Sequence, residues 1–146
     1  MNASFFVAGL PKGQPRAKAC IRGKHAGVYD PGTADGWKLL VRAEANKYAP
    51  EMPCLGPVKV ALFFSFKRPG AHYKTVKGQI QLKELAPWQH TTKPDADNLA
   101  KAVMDAITNL GTYWRDDAQG SSLEVKKQYG EMPGCTVFIR EIREEP

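Results

Sequence analysis

The stretch GPVKVALFFSFKR, residues 56–68, constrains the fold more than any other part of this chain. Apolar side chains recur along it at every second position: Val58, Val60, Leu62, Phe64 and Phe66. That period is typical of a β-strand, because successive side chains of a strand point to opposite faces. Ala61 and Phe63 make the other face partly apolar as well. We therefore expect an interior strand that is covered on both sides.

Two other segments have the period of a helix. In residues 97–110 the apolar side chains form one continuous face: Leu99, Ala102, Val103, Ala106, Ile107 and Leu110. A first helix is predicted from residue 33 or 34 up to Pro50, and its apolar stripe holds Trp37, Leu40, Val41 and Ala45.

Three further strands are predicted, in ASFFVAG near the start and in SSLEVKKQYG and CTVFIREIR near the end. A turn with the sequence EMPG joins the last two. Residues 69–92 have little periodicity and are predicted to form a long basic loop. The order β-α-β-α-β-β indicates an α+β fold, in which two main helices pack on a mixed, largely antiparallel sheet. The length of 146 residues fits a single domain over residues 1–146.

The net charge of +6 comes largely from two basic stretches. The first contains no acidic residue and holds Lys12, Arg16, Lys18, Arg22 and Lys24. The second contains Glu84 as its only acid and holds Lys67, Arg68, Lys74, Lys77, Lys83 and Lys93. Such stretches suit a polyanion, because each neutralised phosphate releases counterions. A solvated lysine surface explains the same charges, so the residues alone leave both interpretations open.

The sequence also excludes several classes of protein. No apolar run is long enough to cross a bilayer, and the apolar patch before Pro11 lacks the preceding basic residues of a signal peptide. We therefore expect a cytoplasmic protein with no membrane partner. There is no glycine-rich phosphate loop, so no nucleotide cofactor is expected. Cys20, Cys54 and Cys135 lie far apart without C-x-x-C spacing, which predicts reduced thiols.

Acidic residues are concentrated around the second helix. The segment KPDADNLAKAVMDAI, residues 93–107, places Asp95 and Asp97 two positions apart. If the chain stays extended through Asp97, both carboxylates point to one side and repel unless a cation neutralises them. Asp116 and Asp117 follow the helix and can return beside this pair. Carboxylate oxygens are the ligands that Mg²⁺ prefers, and three or four of them suit metal-assisted phosphodiester hydrolysis.

Lys101 lies one helical turn after Asp97 on the polar face, and Asp105 lies one turn further. The Lys101 ammonium could stabilise a phosphate in the same site, with Asp105 holding it in place. A structural explanation covers the same residues. Asp commonly caps helices, exposed i,i+4 ion pairs contribute little, and RDDAQG can be a polar turn. The residues by themselves leave the metal site and the structural explanation equally open.

The two acidic segments together resemble the signature of the RusA family of Holliday junction resolvases, found in bacteria and their prophages. The family pattern is K-P-D-x-D-N-L-x-K-x-x-x-D-A-[LI], followed by [WY]-x-D-D-x-Q, and every fixed position is met between Lys93 and Gln119. FFVAGLPKGQPRAK is similar to the family's first strand and its G-x-P-x-x-x-x-R loop. The resemblance implies a Mg²⁺-dependent endodeoxyribonuclease, with Mn²⁺ as a substitute. Such an enzyme would resolve four-way DNA junctions by paired symmetric nicks in recombination and repair.

The resemblance also implies roles for individual residues. Asp95 and Asp97 become metal ligands, Lys101 the catalytic lysine, and Asp117 the third carboxylate with Asp116 as its neighbour. The segment before Trp114 is one residue longer than the pattern, so the choice between Asp116 and Asp117 stays open. The family is homodimeric, and a two-fold dimer supplies two equivalent sites for two nicks. The first helix with Trp37 and the exposed side of the sheet are candidate dimer surfaces.

Candidate DNA contacts are chosen by location: Lys12, Arg16, Lys18, Arg68, Tyr73, Lys74, Lys77 and Lys93. Tyr73, between His72 and Lys74, is expected to stack on exposed bases, whereas Trp88 is interpreted as fixing the loop to the body. Two rival functions remain at this point. One is a nuclease for other branched DNA, such as flaps and forks, and the other is a non-catalytic basic DNA-binding module with structural acids.

Overall fold

The computed structural model describes residues 1–23, 25–29 and 31–144, so Lys24 of the first basic stretch lies outside the described residues. The strands and helices follow one another in this order: β1 (Asn2–Ala8), β2 (Lys18–Arg22), β3 (His25–Tyr29), α1 (Asp35–Lys47), β4 (Val58–Phe66), β5 (Tyr73–Val76), β6 (Gln79–Leu82), α2 (Ala96–Leu110), β7 (Gly120–Tyr129) and β8 (Gly134–Glu141). Single-turn 3-10 helices lie at Gly70–His72 and Asp117–Gln119. The predicted α+β class, with two helices and a mixed sheet, is confirmed.

The central sheet has the strand order β1-β8-β4-β7. β8 pairs antiparallel with both β1 and β4, whereas β7 runs parallel to β4. The sequence correctly predicted two strands around residues 130–133. They are not neighbours, however, because β4 lies between them. The connection passes the end of β4, where the Gly130 amide donates to the Phe66 carbonyl at 2.9 Å.

β4 is the interior strand that its sequence predicted, but it is not covered on both faces. Val58, Val60 and Leu62 are fully buried in the core that α1 and α2 share with the sheet. On the opposite face Phe63 is only half-buried. It contacts Phe138 of β8 with ring centroids 5.6 Å apart, and Phe138 remains 42% exposed. The prediction of cover on both sides is therefore wrong, and this second face of the sheet stays partly open.

α2 starts within one residue of the predicted position and buries its apolar face completely at Leu99, Ala102, Val103, Ala106 and Ile107. Gly111 caps its C-terminal end, because its left-handed φ of 74° lets its amide donate to the carbonyls of Ile107 and Thr108.

α1 ends at Lys47, earlier than predicted, because the Tyr48 amide donates to Ala45 and tightens the last turn. The predicted apolar stripe of α1 is buried at Trp37, Val41 and Ala45, but Leu40 is 46% exposed, so its place in the stripe was predicted wrongly. Trp37 is only 3% exposed and belongs to the core. It is therefore not part of an exposed dimer surface, as the sequence had suggested for the first helix.

Two hairpins lie outside the predicted strands. β2 and β3 pair antiparallel, and so do β5 and β6 within the predicted basic loop. The second hairpin turns at Lys77 and Gly78, whose φ angles of 50° and 78° are both left-handed, as tight hairpin turns require. In the described part of the chain, no helix is long and apolar enough to cross a membrane.

Candidate active site

The segment after α2 is fixed to both helices by two buried aromatic residues. Tyr113 and Trp114 are fully buried. The Tyr113 hydroxyl donates to the Ala45 carbonyl of α1, and the Trp114 Nε1 donates to the Thr108 Oγ1 of α2, each at 2.8 Å. Burying both rings with their polar atoms paired gives the chain a defined exit from α2. The acidic turn that follows therefore starts from a fixed point.

Gln119 fixes the other end of this turn. Its Oε1 accepts from the backbone amides of Arg115 and Asp116, at 2.8 and 3.2 Å. Its Nε2 donates to the carbonyls of Cys54 and Gly56, at 2.8 and 3.0 Å. The sequence showed Gln119 only as a matched motif position. The structure shows that its side chain bonds the acidic turn to residues 54–56.

Asp116 and Asp117 are adjacent but differently engaged. The Asp116 side chain accepts from the Ala118 amide at 2.9 Å and caps the 3-10 helix Asp117–Gln119. Asp117 instead lines a groove between α2 and β7, which also exposes Asp97 and Lys101. Neighbouring acids that seemed interchangeable in sequence thus differ: one holds the turn and the other faces the groove.

The groove between α2 and β7, called here the acidic groove, crowds negative charge. Desolvation in this groove raises the pKa of Asp117 above its ordinary value. The hydrogen bond and charge of Asp116 add to the rise, and so does the charge of Asp105. The Lys101 ammonium opposes this rise. Lys101 is itself held by Asp105, with 3.4 Å between Nζ and Oδ1. The predicted Asp97, Lys101 and Asp117 therefore share one groove, with Asp105 beside them.

Asp95 and Asp97 point into different grooves, contrary to the prediction. α2 already begins at Ala96, between the two. Asp95 precedes the helix in extended conformation, with φ −70° and ψ 145°, while Asp97 lies in the first helical turn. The chain does not stay extended through Asp97, so the period-two argument fails.

Helix capping does not explain Asp95 either, since its side chain makes no capping hydrogen bond. The Asp97 Oδ1 accepts from the Asn98 amide at 2.9 Å. Asp95 lines a second groove with Arg16, Lys93 and Asn98, called here the basic groove. The first turn of α2 thus separates two grooves, each with one of the predicted ligands.

The described residues contain no group of three or more His, Cys, Asp or Glu side chains close enough together to hold a metal ion. The expected gathering of three or four carboxylates is therefore not present in this arrangement. The donors still fit a hard divalent cation by their chemistry. Asp97 and Asp117 offer carboxylate oxygens to one groove. Desolvation is the largest cause of the raised pKa of Asp117, and the charges of Asp116 and Asp105, which a cation would offset, add to it.

Contacts of the Arg68 side chain attach the hairpin β5–β6 to the rest of the protein. The Arg68 Nη1 donates to the Pro87 carbonyl at 2.6 Å and lies 3.3 Å from the His72 Nδ1. The guanidinium carbon lies over the rings of Trp88 and Tyr129, at 5.2 and 5.4 Å. Arg68, predicted as a DNA contact, thus connects both ends of the hairpin segment to β7. Trp88 takes part in this connection, although its side chain stays 70% exposed.

His90 completes the attachment of this segment to the sheet. It is buried and stacks on Phe66 with ring centroids 4.0 Å apart, while Tyr129 meets it edge-on. Its amide donates to the Lys127 carbonyl of β7. Desolvation, and then the charge of Lys127, lower the pKa of His90, so the buried ring is held in its neutral form.

The other predicted DNA contacts are exposed and fall into three places. Arg16 and Lys93 line the basic groove, whereas Tyr73, Lys74 and Lys77 belong to the hairpin. Lys12 lies in the loop after β1, and Lys18 begins β2. Sequence reasoning missed Lys38, a buried lysine on α1 that donates to the Gln14 Oε1 at 2.9 Å.

The part of the chain that matches a known protein family includes both grooves and the hairpin. The model of the family described as Endodeoxyribonuclease RusA matches residues 8–140. A Bacillus subtilis (strain 168) protein with the name Uncharacterized protein YqaN is 34% identical over 140 residues. The match spans 94% of this chain and 95% of the Bacillus protein.

Proposed function

Because this chain belongs to the RusA family of endodeoxyribonucleases, which resolve Holliday junctions, we propose that it is a Mg²⁺-dependent resolvase. It makes two symmetric nicks in each four-way junction, during DNA recombination and repair in the cytoplasm. The observation that carries this proposal is the acidic groove, where Asp97, Lys101 and Asp117 converge from α2 and the turn after it. The groove has the residue types that phosphodiester hydrolysis needs, on a basic protein.

Asp97 and Asp117 would hold Mg²⁺, or Mn²⁺ in its place, with Asp116 as the adjacent carboxylate. When bound, the ion would activate water, orient the scissile phosphate and stabilise charge on the leaving oxygen. The family pattern adds Asp95 as a ligand. Asp95 lines the basic groove, but it directly precedes α2 and is two residues from Asp97, which lines the acidic groove.

The chain's own residues position the DNA and its charges. Lys101 presents an exposed ammonium in the acidic groove, where it acts as a point charge on a phosphate oxygen, and Asp105 limits its movement. Asp116 keeps its oxygen on the Ala118 amide and so holds the backbone that carries Asp117. The backbone that carries Asp117 therefore needs little rearrangement when a strand enters.

The DNA backbone would follow the exposed basic residues. Arg16 and Lys93 flank Asp95 in the basic groove and would bind phosphates next to the cleaved one. Tyr73, Lys74 and Lys77 would contact a neighbouring arm from the hairpin, with Lys12 and Lys18 on the side of β2. Arg68 is the last of the proposed DNA contacts, and its contacts with Pro87 and His72 would orient the hairpin toward the arm.

A homodimer would provide the second nick, because one chain of this size carries one acidic groove. The partly open face of the sheet is the surface we propose for pairing. It exposes Phe138 at 42% and Phe6 at 36%, and Phe63 lies beside them. Apolar side chains on an unpartnered sheet face favour association with a second copy.

The test is a nicking assay on a synthetic four-way junction, with flap and linear duplex substrates of the same sequence. We expect Mg²⁺-dependent paired nicks at symmetric positions of the junction. Asp97→Asn and Asp95→Asn should each lower the nicking rate about 100-fold or more, the scale of single electrostatic groups in active sites. Junction binding should stay within about two-fold, since the basic surface remains.

Glu44→Gln is the matched control, because it neutralises a carboxylate that pairs with Lys47 far along α1. Unchanged cleavage in Asp95→Asn and Asp97→Asn, or no cleavage by the unmodified protein, would favour a non-catalytic DNA-binding module. Equal cleavage of flaps and junctions would favour the nuclease for other branched DNA.

A further inference from the structure

Lys38 is buried in an unusual way. Among the lysine and arginine side chains that the structure describes, it alone is buried, with 9% of its surface exposed. Its ammonium donates to the Gln14 Oε1 at 2.9 Å, and no carboxylate in the described part of the chain pairs with it. A buried ammonium without a counter-charge costs free energy, and an amide oxygen offsets only part of that cost.

The Lys38 contact continues to the start of α2. The backbone amide of Gln14 donates to the Asn98 carbonyl at 2.8 Å. Beside it, Gly13 packs so closely that a Cβ there would lie 3.1 Å from the Asn98 Cβ and 3.4 Å from the Pro94 Cβ. A single chain of contacts therefore joins α1, the loop after β1 and the first turn of α2.

This loop forms one wall of the basic groove. Gly13, Gln14 and Arg16 line the groove opposite Lys93 and Asp95. Arg16 follows Gln14 by two residues, so a shift of Gln14 moves the Arg16 side chain relative to the carboxylates at the start of α2. The contact between Lys38 and Gln14 thus reaches both the predicted phosphate contacts and the predicted ligands.

We propose that Lys38 is a positioning residue for strand cleavage. Through Gln14 it holds residues 13–16 against the first turn of α2, so that Arg16 receives the DNA backbone in register with Asp95 and Asp97. This inference rests on the proposed nuclease function. It assigns no catalytic contact to Lys38 itself, because Lys38 is not among the residues that line the basic groove.

A purely structural lysine would behave differently. Met has nearly the length of Lys without the charge, and replacing a buried charge by an apolar side chain of similar size is often neutral or stabilising. A positioning role therefore predicts that stability and activity separate in Lys38→Met. The thermal midpoint stays the same or rises, while the nicking rate falls.

The experiment compares Lys38→Met with Lys47→Met, which removes an exposed lysine from the end of the same helix. At saturating four-way junction and Mg²⁺, single-turnover nicking by Lys38→Met should fall about tenfold, as small misplacements of reacting groups do. Junction affinity should change less than about threefold. Lys47→Met should match the unmodified protein in both measurements.

Two further measurements test the contact between Lys38 and Gln14 directly. Hydrogen exchange of the Gln14 amide, without DNA, should become faster in Lys38→Met because its bond to Asn98 loosens. Gln14→Leu should lower nicking to a similar extent. The double variant Lys38→Met/Gln14→Leu should lower it no further, since both changes break one contact.

Each outcome decides the matter. Nicking at the unmodified rate in Lys38→Met, or a fall in thermal midpoint that accounts for the lost activity, would overturn the proposal. Slower nicking with unchanged Gln14 exchange would also overturn it, because Lys38 would then act by another route. If the unmodified protein nicks no branched DNA, the proposed function fails. Gln14 exchange then decides the Lys38 coupling alone, with faster exchange supporting it and unchanged exchange overturning it.

Discussion

The acidic turn after α2 and the hairpin β5–β6 are both polar segments outside the central sheet, but they are held in opposite ways. The turn leaves buried Trp114 and is tied by the four hydrogen bonds of Gln119. Every residue of both hairpin strands is exposed, and the segment is attached mainly around Arg68 and His90. Carboxylates that act on a phosphate need a fixed geometry, whereas an element that follows a DNA arm needs room to adapt.

The hairpin's two faces differ as clearly as the two segments. Its register places Tyr73 opposite Leu82 and Thr75 opposite Ile80, so these side chains share one largely apolar face. The other face pairs Lys74 with Gln81. Ile80 is 76% exposed. A two-stranded hairpin with an uncovered apolar face is marginally stable in water, so its conformation depends on its attachment.

The largest expected effect separates the two neighbouring acids of the turn. Asp117→Asn should lower the nicking rate about 100-fold or more, because it removes a charge that faces the acidic groove. Asp116→Asn should lower it only a few-fold, since Asn keeps the oxygen that accepts from the Ala118 amide. Single-turnover nicking of a four-way junction measures both. The reverse order of effects would exchange the roles of the two residues.

The second effect concerns how the hairpin is attached. Arg68→Ala should free the hairpin segment from Tyr129 and weaken junction binding about tenfold, with faster hydrogen exchange across β5 and β6. Arg68→Lys is the matched variant, because it keeps the charge but cannot span Pro87 and His72 in the same way.

Recovery of binding in Arg68→Lys would show that the charge itself contacts DNA. Equal loss in both variants, with faster exchange in both, would show that Arg68 acts by holding the hairpin. Unchanged exchange in Arg68→Ala would contradict the contrast between the two segments.

The smallest effect is a change of salt dependence. Replacing Lys74 and Lys77 together with Gln should reduce the slope of log affinity against log salt by about two, because each phosphate contact contributes about one. Titration of a fluorescent junction at several salt concentrations measures the slope. Lys126→Gln is the control, since this lysine pairs with Glu124 on the central sheet. An unchanged slope in the double variant would remove the hairpin from the DNA path.

Much of the fold was visible in the sequence because its signals are local. The period of α2 is strict, and five side chains of its apolar face are fully buried. β4 was predicted from the alternation of apolar side chains along residues 58–66. The neighbours of β4 could not be predicted, since no local feature of residues 120–141 says that β7 and β8 lie on opposite sides of it. The short hairpins were missed because Lys77-Gly78 is a weak turn signal compared with Asn-Gly.

The sequence predicted which residues line the candidate site better than it predicted how they are arranged. Asp97, Lys101 and Asp117 share a groove as the spacing suggested. Asp95 does not, because the change from strand-like to helical backbone falls at Ala96, and one residue of difference turns a side chain away. Lys38 had no signal, since a lysine on a predicted amphipathic helix is expected to face water.

The place of β8 in the sheet has a consequence for how the protein is made. β8 is the last strand of the chain order, yet it separates β1 from β4 and pairs with both. During synthesis, β1 emerges before β4 and β8, so it lacks its partner strand while residues 9–133 are made. Until β8 inserts, the facing edges of β1 and β4 stay unpaired and can join strands of other chains. Pulse-labelling hydrogen exchange during refolding should therefore show protection of β1 appearing together with that of β8.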